Sequence, residues 1–439
     1  MKKTIYIIIL IVLSSCLTHK AEKTNRDLQL HRKEKLEVIE NTINEVETLV
    51  KNDNGNFWNH QLYGPLIFIN PKTRVFVANK DNTSNDYKKV NSVFTDTLTK
   101  EINIANTSVN IDGEKWAMIM LPLPNDKFER TGLVIHELFH RLQPDIGFAN
   151  LNEANNAHLD SYEGRLLLKF ELEALKKALN SKNEILRNSH IANALFFRSK
   201  RQLNKQIKDN ENLLELNEGL AEYTAVMLSG RNTKEMKLHF TNNINQFYTN
   251  PTFVRSFAYQ TIPVYGYLLS QKVQSWQKNI SNETNLTDYF INNFSIQLPK
   301  NNSYLKIAKE NDYNYKDIVN EENLRENERL AKIKAYKKKF LEEPALKIQL
   351  ENMNISFDPR TIIPLEKYGN VYPTARITDN WGILTIENGV LLSVDWKSVT
   401  VSKPLKISTE VVEGDGWTLE LNKGWEVKNN NRIFQLKKK

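Results

Sequence analysis

Hydrophobic residues recur at helical intervals soon after the N-terminal region, between Leu36 and Leu49. This spacing predicts an amphipathic helix. Short apolar runs with nearby prolines follow it, and such runs are typical of strands. The predicted strands cover 65–69, 75–78 and 116–123.

A helical pattern then dominates the chain from Thr131 to about Met353. Leu, Ile, Phe or Ala recur along one face of each segment at the intervals of an α-helix. The predicted helices cover 161–180, 184–209, 213–229 and 255–273. With the strands before them they predict one α+β domain over 57–350, mostly helical behind a strand layer.

Past Phe357 the pattern changes to short alternating runs between turn residues such as Asn388-Gly389. Alternation predicts half-buried strands, and Asn-Gly pairs favour tight hairpin turns. The predicted strands cover 371–377, 382–386, 390–394, 399–401, 418–421 and 432–436. The fold class expected for the whole chain is therefore α+β, with a small all-β domain over 357–439.

The first residues have the layout of a secretory signal peptide. Two lysines precede an apolar run over 5–13, far shorter than the roughly 20 residues that span a bilayer. The residues from Leu13 to Cys16 resemble the bacterial lipobox, in which the cysteine becomes the lipidated first residue of the mature protein. We therefore expect 1–15 to be a signal peptide, Cys16 to carry lipid, and 16–56 to be a tether with the N-terminal helix. The alternative is an ordinary signal peptide, or an uncleaved anchor, with an incidental cysteine.

Cysteine and charge content narrow the function classes. Cys16 is the only cysteine, so no disulfide can form within the chain. Sixty Lys and Arg against fifty-two Asp and Glu give a net charge of +8, which a chain of 439 residues can spread over its surface. The densest basic run, at 332–339, follows an acidic stretch at 321–328 and is typical of a solvated helix, so no nucleic-acid partner is predicted. We expect an exported protein, anchored to a membrane of the cell envelope through its lipid.

The residues most informative about chemistry are His136, Glu137 and His140, which form an HExxH motif. Two histidines four residues apart lie on one face of a helix, so both imidazoles can bind one metal ion. The neighbouring positions are nearly all apolar, and burying these polar side chains is costly unless a metal and hydrogen bonds satisfy them. The motif therefore predicts a catalytic Zn²⁺ bound by His136 and His140, with Glu137 as the general base.

A third ligand is expected in the downstream segment LNEGLAEY, at 216–223. Together with HELFH, this segment resembles the gluzincins, the thermolysin-like and aminopeptidase N-like zinc metallopeptidases. The resemblance implies a zincin-like fold, a peptide or protein substrate, and Glu218 as the third zinc ligand. It also implies that Glu222 orients His136 through the ring nitrogen that does not bind metal. The reverse assignment, with Glu222 as ligand and Glu218 in support, stays open, as does a surface salt bridge for Glu222.

Two features depart from that family. The segment 141–217 between the motifs is much longer than in thermolysin-like and aminopeptidase N-like enzymes. Its pattern at 161–209 predicts a helical pair that folds out and lets the Glu218 helix return to the HExxH helix. The chain also has no Gly-x-Met-Glu-Asn motif, so binding of a free substrate amine is not supported. These departures concern the substrate cleft, not the metal.

A tyrosine is expected to stabilise the oxyanion that forms during amide hydrolysis. Tyr259 and Tyr265 are the candidates because they lie in a helix-like segment downstream of the ligands, with core packing as the alternative for each. Tyr223 should point away from the ligands, since its distance from Glu218 exceeds one helical turn. His158 is a less favoured ligand than Glu218.

These residues predict a zinc-dependent metallopeptidase that hydrolyses peptide bonds outside the cytoplasm. One alternative is a zinc hydrolase of a non-peptide amide. The other is a non-catalytic, lipid-anchored binding protein whose zinc site is structural or vestigial. The glutamate of HExxH argues against the second, because a structural site needs no general base. The pattern predicts no oligomeric state.

Overall fold

A computed structural model describes residues 36–151, 154–300, 303–358, 361–430 and 433–439 of the chain. The described residues form helices and three β-sheets, so the predicted α+β class is confirmed, as is a β region at the C-terminal end. They divide into one unit up to Tyr315 and a second unit from Lys316 to Lys439. The predicted signal peptide 1–15 and Cys16 lie outside the described residues. Among the described helices, none is both long and apolar enough to cross a membrane.

The first unit begins with a helix and a single β-sheet. Helix α1 covers 36–53 and buries Ile39, Ile43 and Val46, in line with the predicted apolar face. The strands are β1 (Leu66–Ile69), β2 (Val75–Ala78), β3 (Lys88–Val90), β4 (Val93–Thr97), β5 (Thr107–Ile111) and β6 (Glu114–Met120). They follow the order β3-β4-β2-β1-β6-β5, in which β1 and β6 are parallel and the other neighbours antiparallel. β1, buried at every position, lies inside the sheet, and β5 forms one edge.

Helices make up the rest of the first unit. They are α2 (Lys127–Leu142), α3 (Tyr162–Asn180), α4 (Glu184–Arg201), α5 (Lys205–Leu214), α6 (Leu220–Leu228), α7 (Thr233–Phe247), α8 (Ala258–Ser270), α9 (Leu286–Phe294) and α10 (Tyr304–Glu310). Helix α2 packs against β5 and β6 and also against α6, while α3 and α4 pack on each other as the predicted helical pair. The helix predicted over 184–209 is two helices, because Asn204 caps α5 by accepting a hydrogen bond from Ile207 N.

The second unit contains one long helix and two sheets. Helix α11 (Tyr315–Lys337) ends in a π-helical turn (Lys338–Glu342). The strands are β7 (Ala345–Gln349), β8 (Asn354–Phe357), β9 (Ile363–Pro364), β10 (Asn370–Tyr372), β11 (Ala375–Asp379), β12 (Gly382–Ile386), β13 (Val390–Leu392), β14 (Ser398–Ser402), β15 (Pro404–Ile407), β16 (Val411–Gly414), β17 (Trp417–Leu421), β18 (Trp425–Asn430) and β19 (Ile433–Lys438). One sheet has the order β18-β19-β7-β14-β13-β10-β9 and the other β15-β16-β17-β12-β11-β8. They share a core in which Val399 of the first sheet lies with Leu384 of the second.

The second unit starts earlier along the chain than the predicted all-β domain over 357–439. Ile333 and Tyr336 of α11 pack in a cluster with Phe340 and Leu365, so the helix belongs with the strands that follow it. β7 pairs with β14, although the helical pattern had been expected to reach about Met353. The division therefore falls near 315 and not near 350.

Some strands differ from the prediction for local reasons. The single strand expected over 371–377 is two strands in different sheets, β10 and β11, separated at Pro373. Proline has no amide hydrogen to donate, so it commonly ends the pairing of a strand. The sequence does not predict β3 or β5, since their polar composition gives little of the alternation expected of a half-buried strand.

Candidate metal centre

Helix α2 carries the HExxH motif through the interior of the first unit. Asp126 caps its N-terminus by accepting a hydrogen bond from Glu129 N. Apolar side chains of the helix, such as Leu138, are buried. His136 and His140 lie one turn apart and both line a cleft. Their Nε2 atoms are 3.1 Å apart, so both imidazoles point to the same place, as the spacing predicts.

Glu218 reaches the two imidazoles from a π-helical turn, Glu215–Gly219, which joins α5 to α6. Its Oε2 atom lies 3.3 Å from His136 Nε2 and 3.4 Å from His140 Nε2. Three atoms held about 2.0–2.1 Å from one ion at tetrahedral angles lie about 3.3–3.4 Å from one another. The described residues therefore bring His136, His140 and Glu218 together in a group that could hold a metal ion.

Hydrogen bonds fix the other ring nitrogens. His136 Nδ1 lies 3.2 Å from Glu222 Oε2, which is the contact expected of Glu222. His140 Nδ1 lies 2.9 Å from Gln143 Oε1, a residue that sequence reasoning missed. Gln143 follows His140 by three positions on the same helix face, and this spacing was the available signal. Both contacts leave the Nε2 atoms to face the metal position.

Gln143 also joins the two halves of the site. Its Nε2 donates to the main-chain oxygens of Leu216 and Asn217, at 3.2 and 3.3 Å. Asn217 in turn donates from Nδ2 to Glu218 Oε1 at 3.2 Å. The π-helical turn that carries Glu218 is thus hydrogen-bonded directly to the helix that carries the histidines.

Glu137 lines the same cleft and is almost fully buried, with 4% of its surface exposed. Its Oε2 has no hydrogen-bond partner among the described residues, which is unusual for a buried carboxylate oxygen. Burial is the main reason that the pKa of Glu137 is raised above its usual value. A carboxylate with a raised pKa and a free oxygen is suited to exchange protons with a ligand in the cleft.

The charges of the group depend on one another. Burial disfavours the imidazolium form of His136, but hydrogen bonds to Glu218 and Glu222 outweigh it and raise the pKa of His136 to about 10. Burial acts against the charge of Glu218 as well, yet hydrogen bonds from both histidines hold the pKa of Glu218 well below its usual value. Protons therefore compete with any metal for these ligands.

Of the two candidate tyrosines, Tyr259 lies in the site. Its hydroxyl donates a hydrogen bond to Glu218 Oε2, and its ring stacks parallel to the His136 imidazole with centroids 5.5 Å apart. Burial, followed by the negative charge of Glu218, raises the pKa of Tyr259 far above its usual value. The phenol is therefore protonated at neutral pH and available as a donor.

Tyr265 does not reach the cleft. It is fully buried, and its hydroxyl donates to Glu171 Oε1 at 2.9 Å. Six residues along α8 turn the side chain well away from the face that carries Tyr259. The candidate role of Tyr265 as oxyanion donor is therefore replaced by a role in the core.

Two other side chains also lie away from the metal group. Tyr223 is buried, and its hydroxyl accepts a hydrogen bond from Trp276 Nε1 at 2.9 Å, so it points away from the ligands as expected. His158 Nε2 lies 2.7 Å from Glu211 Oε1 and takes no part in the group.

The cleft around the group has a volume of about 690 Å³. Its lining includes Thr107 and Ser108 of the edge strand β5. The lining also includes Glu129, whose Oε1 accepts hydrogen bonds from Arg231 and His239. Sequence reasoning missed Glu129, although it lies two helical turns before His136 on the same face of α2.

Glu129 and its two partners in the cleft lining are polar or charged. The hydrogen bond from His239 is the first cause that lowers the pKa of Glu129, and Arg231 contributes in the same direction. Arg231 is itself buried and also donates to Ser229 Oγ at 2.8 Å. The carboxylate of Glu129 is therefore ionised and held in place beside the cleft.

Comparison of the chain with models of protein families, with curated proteins and with solved structures finds no match. The functional assignment therefore depends on the residues of the cleft and their geometry.

Proposed function

We propose that this protein is a zinc-dependent metallopeptidase of the gluzincin type, with a zincin-like fold in its first unit. One observation carries the proposal. Two imidazole nitrogens and one carboxylate oxygen lie 3.1–3.4 Å apart, beside a buried glutamate and at the wall of an open cleft. This is the donor set and the setting that a catalytic metal requires.

Zinc is the metal that fits these ligands best. Two histidines and one glutamate are a donor set of catalytic zinc sites, which keep a further position open, whereas structural zinc sites usually have four ligands rich in cysteine. Within the described residues, the group consists of His136, His140 and Glu218 without a fourth side chain. The only cysteine, Cys16, lies far away in the sequence.

Glu137 is the proposed general base. When bound, zinc would polarise the scissile carbonyl and lower the pKa of an attacking water. Glu137 takes a proton from that water on its unpartnered oxygen and delivers it to the leaving nitrogen. Burial raises the pKa of Glu137, which makes its carboxylate a stronger base for the first of these transfers.

Tyr259 is the proposed donor to the developing oxyanion. Its hydroxyl lies beside Glu218 and remains protonated, and the residue lines the cleft. A hydrogen bond to a developing negative charge is worth more in the transition state than in the ground state. The phenol would turn from Glu218 to the substrate oxygen when a substrate is bound.

An extended peptide is the proposed substrate. Thr107 and Ser108 belong to an edge strand that lines the cleft, and an edge strand offers main-chain groups to which a peptide can pair. The cleft is also large enough for several side chains. The sequence further leads us to propose that the enzyme acts in the cell envelope, anchored by lipid on Cys16.

The test compares wild type with Glu137→Gln, which has nearly the same shape but no carboxylate. We expect both proteins to bind about one zinc per chain, and only the wild type to cleave casein or a peptide library. Zinc binding without cleavage by either protein would contradict the peptidase proposal. That result would favour a non-peptide amide substrate or a binding protein. Digest products would also show whether cleavage is internal or terminal.

A further inference from the structure

A network of buried charges lies behind the π-helical turn that carries Glu218. Arg198 of α4 has no exposed surface, and its two terminal nitrogens donate to the two oxygens of Glu215. Arg198 Nε donates to Thr287 Oγ1 at 2.6 Å, so the guanidinium is held at three points. Thr261 of α8 donates to Glu215 Oε1 at 2.7 Å. Glu215 is thus fixed from two different helices.

Glu215 and Glu218 belong to the same turn, yet they face different surroundings. In an α-helix, side chains three residues apart lie only about 60° apart around the axis. The wider turn of a π-helix increases that angle, and π-turns occur often at functional sites. Here Glu215 is fully buried in the ionic network while Glu218 lines the cleft. The π-turn is what separates the two carboxylates.

Stability alone does not account for Arg198 and Glu215. A buried ion pair contributes little net stability compared with well-packed apolar residues of the same volume. A guanidinium bonded to both oxygens of a carboxylate does, however, fix the orientation of that carboxylate. Burial works against the charge of Arg198, but Glu215 and then Glu171 raise the pKa of Arg198 well above its usual value, so the guanidinium stays charged.

We infer that Arg198 is a positioning residue for the metal centre: by clamping Glu215 it holds the π-turn in the form that presents Glu218 to the two histidines. The helical insertion between the two motifs is then part of the metal site and not a spacer. This inference rests on the metal centre of the proposed function, but not on peptide cleavage.

The same network offers a matched control. Arg201 is also buried and also bonds both oxygens of one carboxylate, with Nε to Glu211 Oε1 at 2.8 Å and Nη2 to Glu211 Oε2 at 3.0 Å. Glu211 lies on α5, one turn before the π-turn. Arg198→Lys and Arg201→Lys therefore make the same chemical change at the same depth, one helical turn apart.

The test measures Zn²⁺ affinity by competition with a chelator, and the visible spectrum of the Co²⁺-loaded protein, for the full chain. We expect Arg198→Lys to weaken zinc binding by about 10–100-fold and to change the cobalt spectrum, since the orientation of Glu218 is disturbed. Arg201→Lys should lose similar thermal stability but keep zinc affinity within about threefold and the wild-type spectrum. Thr261→Val removes one hydrogen bond to Glu215 and should weaken zinc binding by a few-fold.

Equal effects of the two arginine variants on zinc affinity, or no effect of Arg198→Lys, would overturn the inference. If Arg198→Lys fails to fold, Thr261→Val is the variant that tests the inference. An unchanged zinc affinity and an unchanged cobalt spectrum in Thr261→Val would overturn the inference as well. A wild type that takes up no zinc overturns both this inference and the proposed function. A wild type that binds zinc but cleaves no peptide, with the affinity of Arg198→Lys reduced, overturns only the peptidase proposal.

Discussion

At the scale of single residues, the contacts of Tyr259 fit two different roles. It donates a hydrogen bond to Glu218, the proposed third ligand, and it lines the cleft in which the proposed oxyanion would form. If its task is in the transition state, Tyr259→Phe should lower kcat by about 10²–10³ and leave zinc affinity within about threefold. Steady-state kinetics together with a zinc titration check this. A loss of zinc affinity with kcat unchanged at saturating zinc would instead make Tyr259 a support for Glu218.

Substitution of Gln143 is expected to affect zinc affinity most clearly. Gln143→Met removes the acceptor for His140 Nδ1 and the donor to the π-turn, so zinc affinity should fall by about 10–100-fold. Gln277→Met is a suitable control, because Gln277 is buried, donates a hydrogen bond to Phe57 O at 2.8 Å and takes no part in the metal group. Similar losses of affinity in both variants would count against the role given to Gln143.

The raised pKa of His136 predicts how zinc affinity depends on pH. Since that pKa is about 10, the imidazole carries a proton at neutral pH until metal displaces it. Zinc binding should release about one proton from His136 near pH 7.5, and affinity should rise by up to about tenfold per pH unit while pH stays below that pKa. Calorimetry in buffers of different ionisation enthalpy measures the release. Binding heats independent of the buffer would contradict the prediction.

At the scale of elements, the hydrophobic pattern indicates where helices run but not how they turn. The spacing over 213–229 is that of one continuous helix, whereas the structure has a π-turn within it at Glu215–Gly219. That turn is associated with contacts to Arg198 and Gln143, residues distant in the sequence. The HExxH face was predictable because two of the proposed ligands and the proposed base lie within five consecutive positions. Gln143 and Glu129 stand at helical spacing from the motif, but that spacing alone does not show that their side chains contact His140, Arg231 or His239.

Two glycines within helices test the packing around this turn. A Cβ on Gly219 would lie 2.7 Å from Ile262 Cγ1, so Gly219→Ala should push α8 away and cost about 1–3 kcal/mol of unfolding free energy. Among the described residues, the one atom within 4 Å of a Cβ on Gly132 would be Arg231 Nη1, at 3.9 Å. Gly132→Ala, also inside a helix, should therefore be neutral or stabilising by up to about 1 kcal/mol. Urea denaturation compares the two. A Gly219→Ala protein as stable as Gly132→Ala would mean that α6 and α8 pack less closely than described.

At the scale of the whole molecule, the α+β class and the C-terminal β region follow from changes of periodicity along the chain. The boundary between the two units does not follow from periodicity, because α11 is polar over most of its length. Only its last turns join an apolar cluster with the strands. Within the first unit, the position of the Tyr265 side chain likewise could not be predicted from the sequence. In the sequence it is as good a candidate as Tyr259, and only the packing of α8 against its neighbours sends one hydroxyl to the cleft and the other to Glu171.

Under the proposed function, His136, His140 and Glu218 hold one zinc ion. Zinc analysis combined with X-ray absorption of the purified protein tests it most directly, with Glu218→Gln and Glu222→Gln beside the wild type. We predict about one zinc per chain, bound by two imidazoles and oxygen, much weaker binding in Glu218→Gln, and retained stoichiometry in Glu222→Gln. A protein that takes up no zinc, or one that keeps its zinc without Glu218 and loses it without Glu222, would contradict the assignment.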